Sequence, residues 1–199
     1  MEPYEIVGQP LTLWLAPIGT AFPLVDADPA GDWKLVGTSG TRSQNEDGVT
    51  VQHQQTITKA RPGGATGPVK AFRTEEELMF GLTLWDVTLE QYLLALNSNE
   101  LTTTAAGSGT AGYKQLGLSR GKEVATYALL ARGVSPYGDG MVAQYQVPRC
   151  YQSASPSVVY QKGTPAGVAL EWTSLEDLNA ASEDLRFGAM VFQHQAALP

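Results

Sequence analysis

The run Gly107-Ser108-Gly109-Thr110-Ala111-Gly112 carries the spacing of a dinucleotide-binding loop, in which glycines let the backbone approach a pyrophosphate. That chemistry needs a strand before the loop and a helix N-terminus after it, where free amides and the helix dipole meet the phosphates. Here a polar Thr- and Ala-rich run precedes it and Tyr113-Lys114-Gln115-Leu116-Gly117 follows without helical character, so Thr102–Gly112 reads as a mobile surface loop. Asp26-Ala27-Asp28-Pro29-Ala30-Gly31-Asp32 has the look of a calcium loop. Its third ligand position is Ala30, and Gly37 stands where a bidentate Glu is needed, so a plain turn is the better reading. His53 and His194 are the only histidines, and no HxH or HExxH spacing joins them to a metal or catalytic site.

No G-x-S-x-G elbow is present; Ser39, in Gly37-Thr38-Ser39-Gly40-Thr41, misses that pattern. The single cysteine, Cys150, follows Pro148-Arg149 in a strand-like stretch and reads as a small, partly buried thiol. Glu75-Glu76-Glu77 places two carboxylates on one strand face and one on the other. A paired-carboxylate hydrolase is one use of such a cluster, a solvated face a simpler one, and a negative ring in an oligomer a more specific one. The sequence offers no catalytic, cofactor-binding or metal-binding set, and the expectation is a protein that is not an enzyme and needs no cofactor.

The elements that must position these residues fit one domain over residues 1–199, with 43% hydrophobic and 17% charged residues. Acidic residues outnumber basic ones by 20 to 13, giving a net charge of −7, which disfavours a protein that grips nucleic acid through clustered Lys and Arg. One cysteine excludes an internal disulfide and fits a reducing cytoplasm. The Met-Glu-Pro-Tyr-Glu start lacks the basic and apolar regions of a signal peptide, and no apolar run approaches the ~20 residues of a membrane span. A soluble protein with no membrane insertion is expected.

Strands are predicted at Leu11–Ala16, near Lys34–Thr38, and at Val49–Lys59, Val69–Phe72 and Glu75–Trp85. Further strands are predicted at Glu123–Arg132, Met141–Gln152, Val158–Gln161, Val168–Ser174 and Arg186–Gln193, with Glu176–Asp184 a loop or a short helical turn. Val49–Lys59 sets Val49, Val51, His53, Gln55 and Ile57 on one face and only Thr and Gln on the other. Arg61–Pro68, rich in Gly and Pro, is a loop. One helix is predicted after Trp85: Thr88 and Gln91 have capping-box spacing, Val87 and Tyr92 suit a hydrophobic staple, Leu89, Tyr92, Leu93 and Leu96 share a face, and Asn97-Ser98-Asn99 ends it. The fold class is mainly β: an antiparallel β-sandwich or barrel with one flanking α-helix and long loops. Trp33 and Trp85 lie beside strands and read as packed.

The order and spacing of several motifs resemble the tail tube (major tail) proteins of long-tailed bacteriophages. Pro68-Val-Lys-Ala-Phe-Arg-Thr74 matches a stretch that enters a strand in that family, and Asp86-Val-Thr-Leu-Glu90 the turn that opens its flanking helix. Phe22–Gly37, Ala169–Asp177 and Arg186-Phe187-Gly188 are also similar, while Asp177-Leu178-Asn179 departs from an expected Asp-Pro-Asn at one local turn. The likeness is strongest over Phe22–Asn97 and good again over Gly167–Gln193.

The resemblance implies a virion protein made in the host cytoplasm and assembled into the phage tail. Its subunits would form hexameric rings through a shared β-barrel, and the rings would stack into a tube that conducts DNA without specific binding. Tape measure and terminator proteins would be further partners. On that reading Lys59, Arg61, Lys70 and Arg73 flank the loop that reaches a neighbouring ring. Gln52, Gln54, Glu75 and Glu77 line a polar, negative lumen that repels phosphate. The alternative is a carbohydrate- or cell-surface-binding β-sandwich of a virion or bacterial surface, which calls for exposed aromatic clusters on loops.

Overall fold

A computed structural model describes residues 2–97 and 99–196; Met1, Ser98 and residues 197–199 lie outside it. The chain is mainly β. Its strands are β1 (Thr12–Ala16), β2 (Lys34–Leu35), β3 (Thr50–Ala60), β4 (Lys70–Leu84), β5 (Leu101–Thr104), β6 (Tyr113–Leu116), β7 (Thr126–Val134), β8 (Val142–Gln152), β9 (Val168–Ser174) and β10 (Ala189–Phe192). One short helix, α1 (Leu89–Tyr92), continues as a 3-10 turn over Leu93–Ala95. A large antiparallel sheet runs β2-β1-β7-β8-β9-β4-β3, with β10 beside β8, and β5 and β6 form a separate hairpin.

The sheet curls over one core because its inward faces are apolar at every second residue. Leu13 and Leu15 of β1 and Leu129 and Ala131 of β7 join Leu78, Phe80, Leu82 and Leu84 of β4 and Val168, Leu170 and Trp172 of β9 in one buried cluster. A strap formed by Ser43–Asn45 closes the curl. The Gln44 side chain donates to the Leu11 carbonyl at 3.1 Å, while the Asn45 amide donates to Thr83 and the Trp85 amide to Ser43. The outer side of β7 is covered by the loop before β2, where Trp33 packs on Ala128 and Leu130 and tilts against Phe22.

That loop is held by a buried cation. Arg132 donates to Gln144 Oε1 and to the carbonyls of Leu24 and Val25, and Gln144 Nε2 donates to Pro23. Burial lowers the guanidinium pKa, opposed by Asp28 and Asp26, whose carboxylates favour the charge. Asp26–Asp32 is thus a turn whose Asp28 lies 3.9 Å from Arg132.

Several sequence expectations need correction. Val69–Phe72 and Glu75–Trp85 are one strand, β4, whose register against β3 shifts between Thr56 and Ile57, leaving Thr74 as the extra residue of a bulge. The helix is a single α turn. Thr88 occupies the N-cap without a side-chain bond, and the Gln91 side chain does not reach back to it but accepts from the Gly37 amide at 2.9 Å. The predicted helix end at Ser98 lies outside the described residues. Asp86 organises this corner, accepting from the Thr38 amide at 3.0 Å, from the Thr38 hydroxyl and from the Thr88 amide. Burial alone would raise its pKa, but those hydrogen bonds prevail and hold it below the ordinary value.

The Thr102–Gly112 loop is instead largely strand and turn: Leu101–Thr104 pairs with Tyr113–Leu116 in a hairpin. Val158–Gln161 contains no strand, only a bridge between Gln161 and Thr164. The strand expected over Lys34–Thr38 shrinks to two residues, and Arg186 belongs to a turn before β10 rather than to the strand. Trp33 is packed, but Trp85 is 43% exposed.

Candidate assembly interface

The features with functional potential lie on the β3–β4 hairpin and at its base. Within the body of the protein β4 is paired on both sides, by β9 from Met79 to Leu84 and by β3 from Thr50 onward. Beyond Met79 the hairpin leaves the sheet. Gln52–Lys59 and Lys70–Glu77 are exposed at every residue, on both faces, so the hairpin is an arm projecting roughly 25 Å at ~3.3 Å per residue.

Register assigns the faces. On the outer face Gln52 stands opposite Met79, Gln54 opposite Glu77 and Thr56 opposite Glu75, with the Thr56 hydroxyl donating to Glu75 at 2.8 Å. The expected lumen set Gln52, Gln54, Glu75 and Glu77 therefore shares one surface. The same face continues onto β9 through Thr173, opposite Met79, and Glu171, opposite Gly81. Ser153 bonds both Glu171 and Thr173 there. This strip of Thr, Gln, Ser and Glu carries no cation until Lys70, near the tip.

The opposite face continues the core side of the sheet: Val51 stands opposite Phe80, His53 opposite Leu78 and Gln55 opposite Glu76. The four basic residues expected to act together divide here. Arg73 lies on this inner face and is held within the arm, donating to Gln55 at 3.0 Å and pairing with Glu76 at 3.1 Å. Lys59, Arg61 and Lys70 sit at the tip, and none of them is in an ion pair among the described residues. Lys70 lies over the Phe72 ring, 5.0 Å from its centroid. Ile57, Val69 and Phe72 are apolar and 43%, 67% and 47% exposed on the same arm.

A groove of about 760 Å³ opens beneath the arm. Leu78, Tyr145 and Val147 are among its apolar lining, β10 supplies Ala189 and Met190, and the loop between β9 and β10 supplies Glu176 and Arg186. Sequence reasoning did not find it, since its walls are far apart in the chain. Gly188 lets β10 begin there: its φ is +116°, and a Cβ would lie 2.1 Å from the Gln146 carbonyl oxygen.

The glycine run and Cys150 lie apart from this region, and the three glutamates lie within it. Gly107 and Thr110 bridge each other in the turn between β5 and β6, with no helix following. Cys150 is 1% exposed, and burial raises its thiol pKa to about 12. Glu75 and Glu77 lie on the open outer face, while Glu76 turns toward the groove. Among the described residues no group of His, Cys, Asp and Glu is arranged to hold a metal ion, and no helix is long and apolar enough to cross a membrane.

In comparisons with known proteins, no family model matches the chain and no curated protein sequence matches it.

Proposed function

We propose that this chain is a structural subunit that polymerises into a tube, as the tail tube proteins it resembles do, and that it performs no catalysis. The observation that carries the reading is the arm. A two-stranded hairpin exposed on both faces is marginal in water and gains stability when a third strand or another surface covers it. Its free edges invite pairing, and a barrel shared between subunits removes them. Covering the part of Phe72 or Ile57 that is still exposed is worth about 1 kcal/mol each.

The outer face supplies the rest of the reading. A ring of copies with that Thr, Gln and Glu surface turned inward gives a polar, negative bore that repels phosphate, so DNA passes without the counterion release that would hold it. Rings joined head to tail do not close, and the product is an open filament. Hexameric order, assembly into a phage tail, and tape measure and terminator proteins as partners follow from the resemblance.

The alternative, a carbohydrate- or cell-surface-binding module, draws on one observation: Tyr160, 75% exposed, borders a hollow with Tyr92, Leu116 and Leu118. Apart from its tyrosines, that hollow has Lys114 and Gln115 as its polar side chains, and Lys114 is already paired with Glu90, whereas sugar hydroxyls call for convergent polar groups. Electron microscopy of the purified protein over a concentration series separates the two. Rings or tubes of uniform bore are expected; single particles at every concentration would overturn the proposal.

A further inference from the structure

We infer that the groove at the base of the arm is the receptor for the arm tip of a second copy of this chain. The inference rests on the self-assembly reading and specifies which two surfaces meet.

The sheet topology creates the groove. β7 lines one edge of β8, while β9 and β10 take successive stretches of the other, at Cys150–Gln152 and at Ala143–Gln146. β4 pairs with β9 as far as Met79 and then continues without pairing β10. Two strand edges that could each accept a further strand therefore flank a groove with an apolar floor, a setting in which an extended segment adds by backbone pairing and anchors its side chains below.

Charge selects the occupant. Glu76, Glu176, Glu183 and Asp184 line the groove against only Arg73 and Arg186. Both arginines are already engaged, Arg73 with Glu76, and Arg186 with Glu176 at 2.6 Å and Glu183 at 3.6 Å. Asp184 has no cation partner among the described residues. The groove thus keeps a negative excess that favours a cationic visitor. The arm tip combines strand backbone, the exposed apolar residues Ile57, Val69 and Phe72, and three cations that are in no ion pair among the described residues, Lys59, Arg61 and Lys70. Since the arm leads away from the groove at its own base, the complementary groove is another copy's, and the contact is heterologous.

A charge exchange tests this. One variant carries Lys59→Glu, Arg61→Glu and Lys70→Glu; the other carries Glu176→Lys, Glu183→Lys and Asp184→Lys. Each alone is expected to stay monomeric in sedimentation velocity at concentrations where the unaltered chain assembles. An equimolar mixture is expected to recover assembly, because the acidic tip fits the basic groove and the basic tip fits the acidic one; a misfolded variant cannot give that rescue. As a second readout, a chain with Arg61→Cys mixed with one carrying Asp184→Cys should form a disulfide heterodimer under mild oxidation, in clear excess over a control pairing with Glu75→Cys. Assembly by either variant alone, a mixture that stays monomeric although both variants melt cooperatively, or no excess over the control would overturn the inference. Tubes formed by the unaltered chain and by both variants would sink the groove and leave the tube reading standing. Rescue that yields closed small oligomers rather than tubes would support the groove and sink the tube.

Discussion

From Leu78 to Leu84, β4 alternates buried and half-buried residues and is paired by β3 as far as Gly81 and by β9 from Met79 to Leu84, whereas from Lys70 to Glu77 the same strand is exposed throughout and paired on one side only. The first stretch places Leu78, Phe80, Leu82 and Leu84 in the core. The second places charges, Thr and one aromatic in solvent. A strand whose two halves differ this much is stable in one and awaits a neighbour in the other. Substitutions in the body should therefore change folding, while substitutions in the arm should change association and leave folding nearly untouched.

Trp172→Ala offers the largest effect, since the indole is fully buried between the sheet faces; it should lower folding stability by about 3–5 kcal/mol in chemical denaturation. A loss below 1 kcal/mol would mean that the body is not the rigid half. Arg132→Met comes next, at about 1–3 kcal/mol, because the carbonyls of Leu24 and Val25 and the Gln144 amide oxygen lose their donor. Limited proteolysis should then cut within Phe22–Trp33 first, and unchanged resistance there would show that the loop is held by Phe22 and Trp33 alone.

Asp86→Asn sharpens the comparison through pH. The folded carboxyl binds its proton less tightly than the unfolded one, so its contribution is full above the unfolded pKa of about 3.9 and is lost as pH falls through the lower folded value. The variant should be less stable at neutral pH and show a flatter loss of stability below about pH 4, measured by thermal melts across an acid series. A parallel acid profile would remove Asp86 from this role. The smallest expected change in folding is for the arm pair Ile57→Ser with Phe72→Ser: within about 0.5 kcal/mol for the monomer, together with loss of assembly in light scattering. A large drop in monomer stability would break the comparison, because the arm would then be part of the folded body.

The strands of the body were legible because they bury one face: β1 and β9 follow the alternation of Leu13 with Leu15 and of Val168, Leu170 and Trp172. The Thr and Gln face of β3 was legible from its alternation alone, although neither face is buried from Gln52 to Lys59. Its exposure was not, since Val51 and Ile57 suggest a buried inner face although Ile57 lies in solvent. The helix was over-read because a capping box is a local pattern, and Gln91 is taken by Gly37, a partner 54 residues away. The β5–β6 hairpin was missed because four-residue strands of Thr and mixed polar residues give too little period to detect. Glu75 and Glu77 could be placed on one face from spacing alone, but Arg73 reaches Gln55 and Glu76 only because the bulge at Thr74 turns it onto their face, and no residue type announces that bulge.

Sequence by itself determined the periods: which residues alternate, where Gly and Pro break the chain, and that the charge balance is acidic. Those are local properties, set by backbone stereochemistry and by the choice of side chain at each position. Only the tertiary structure decided that β9 ends where β4 runs on, that Glu176 and Arg186 come to the foot of the arm, and that the arm stands clear of the core. Those facts follow from strand order and from how far each pairing extends, and both depend on contacts between segments distant in the chain.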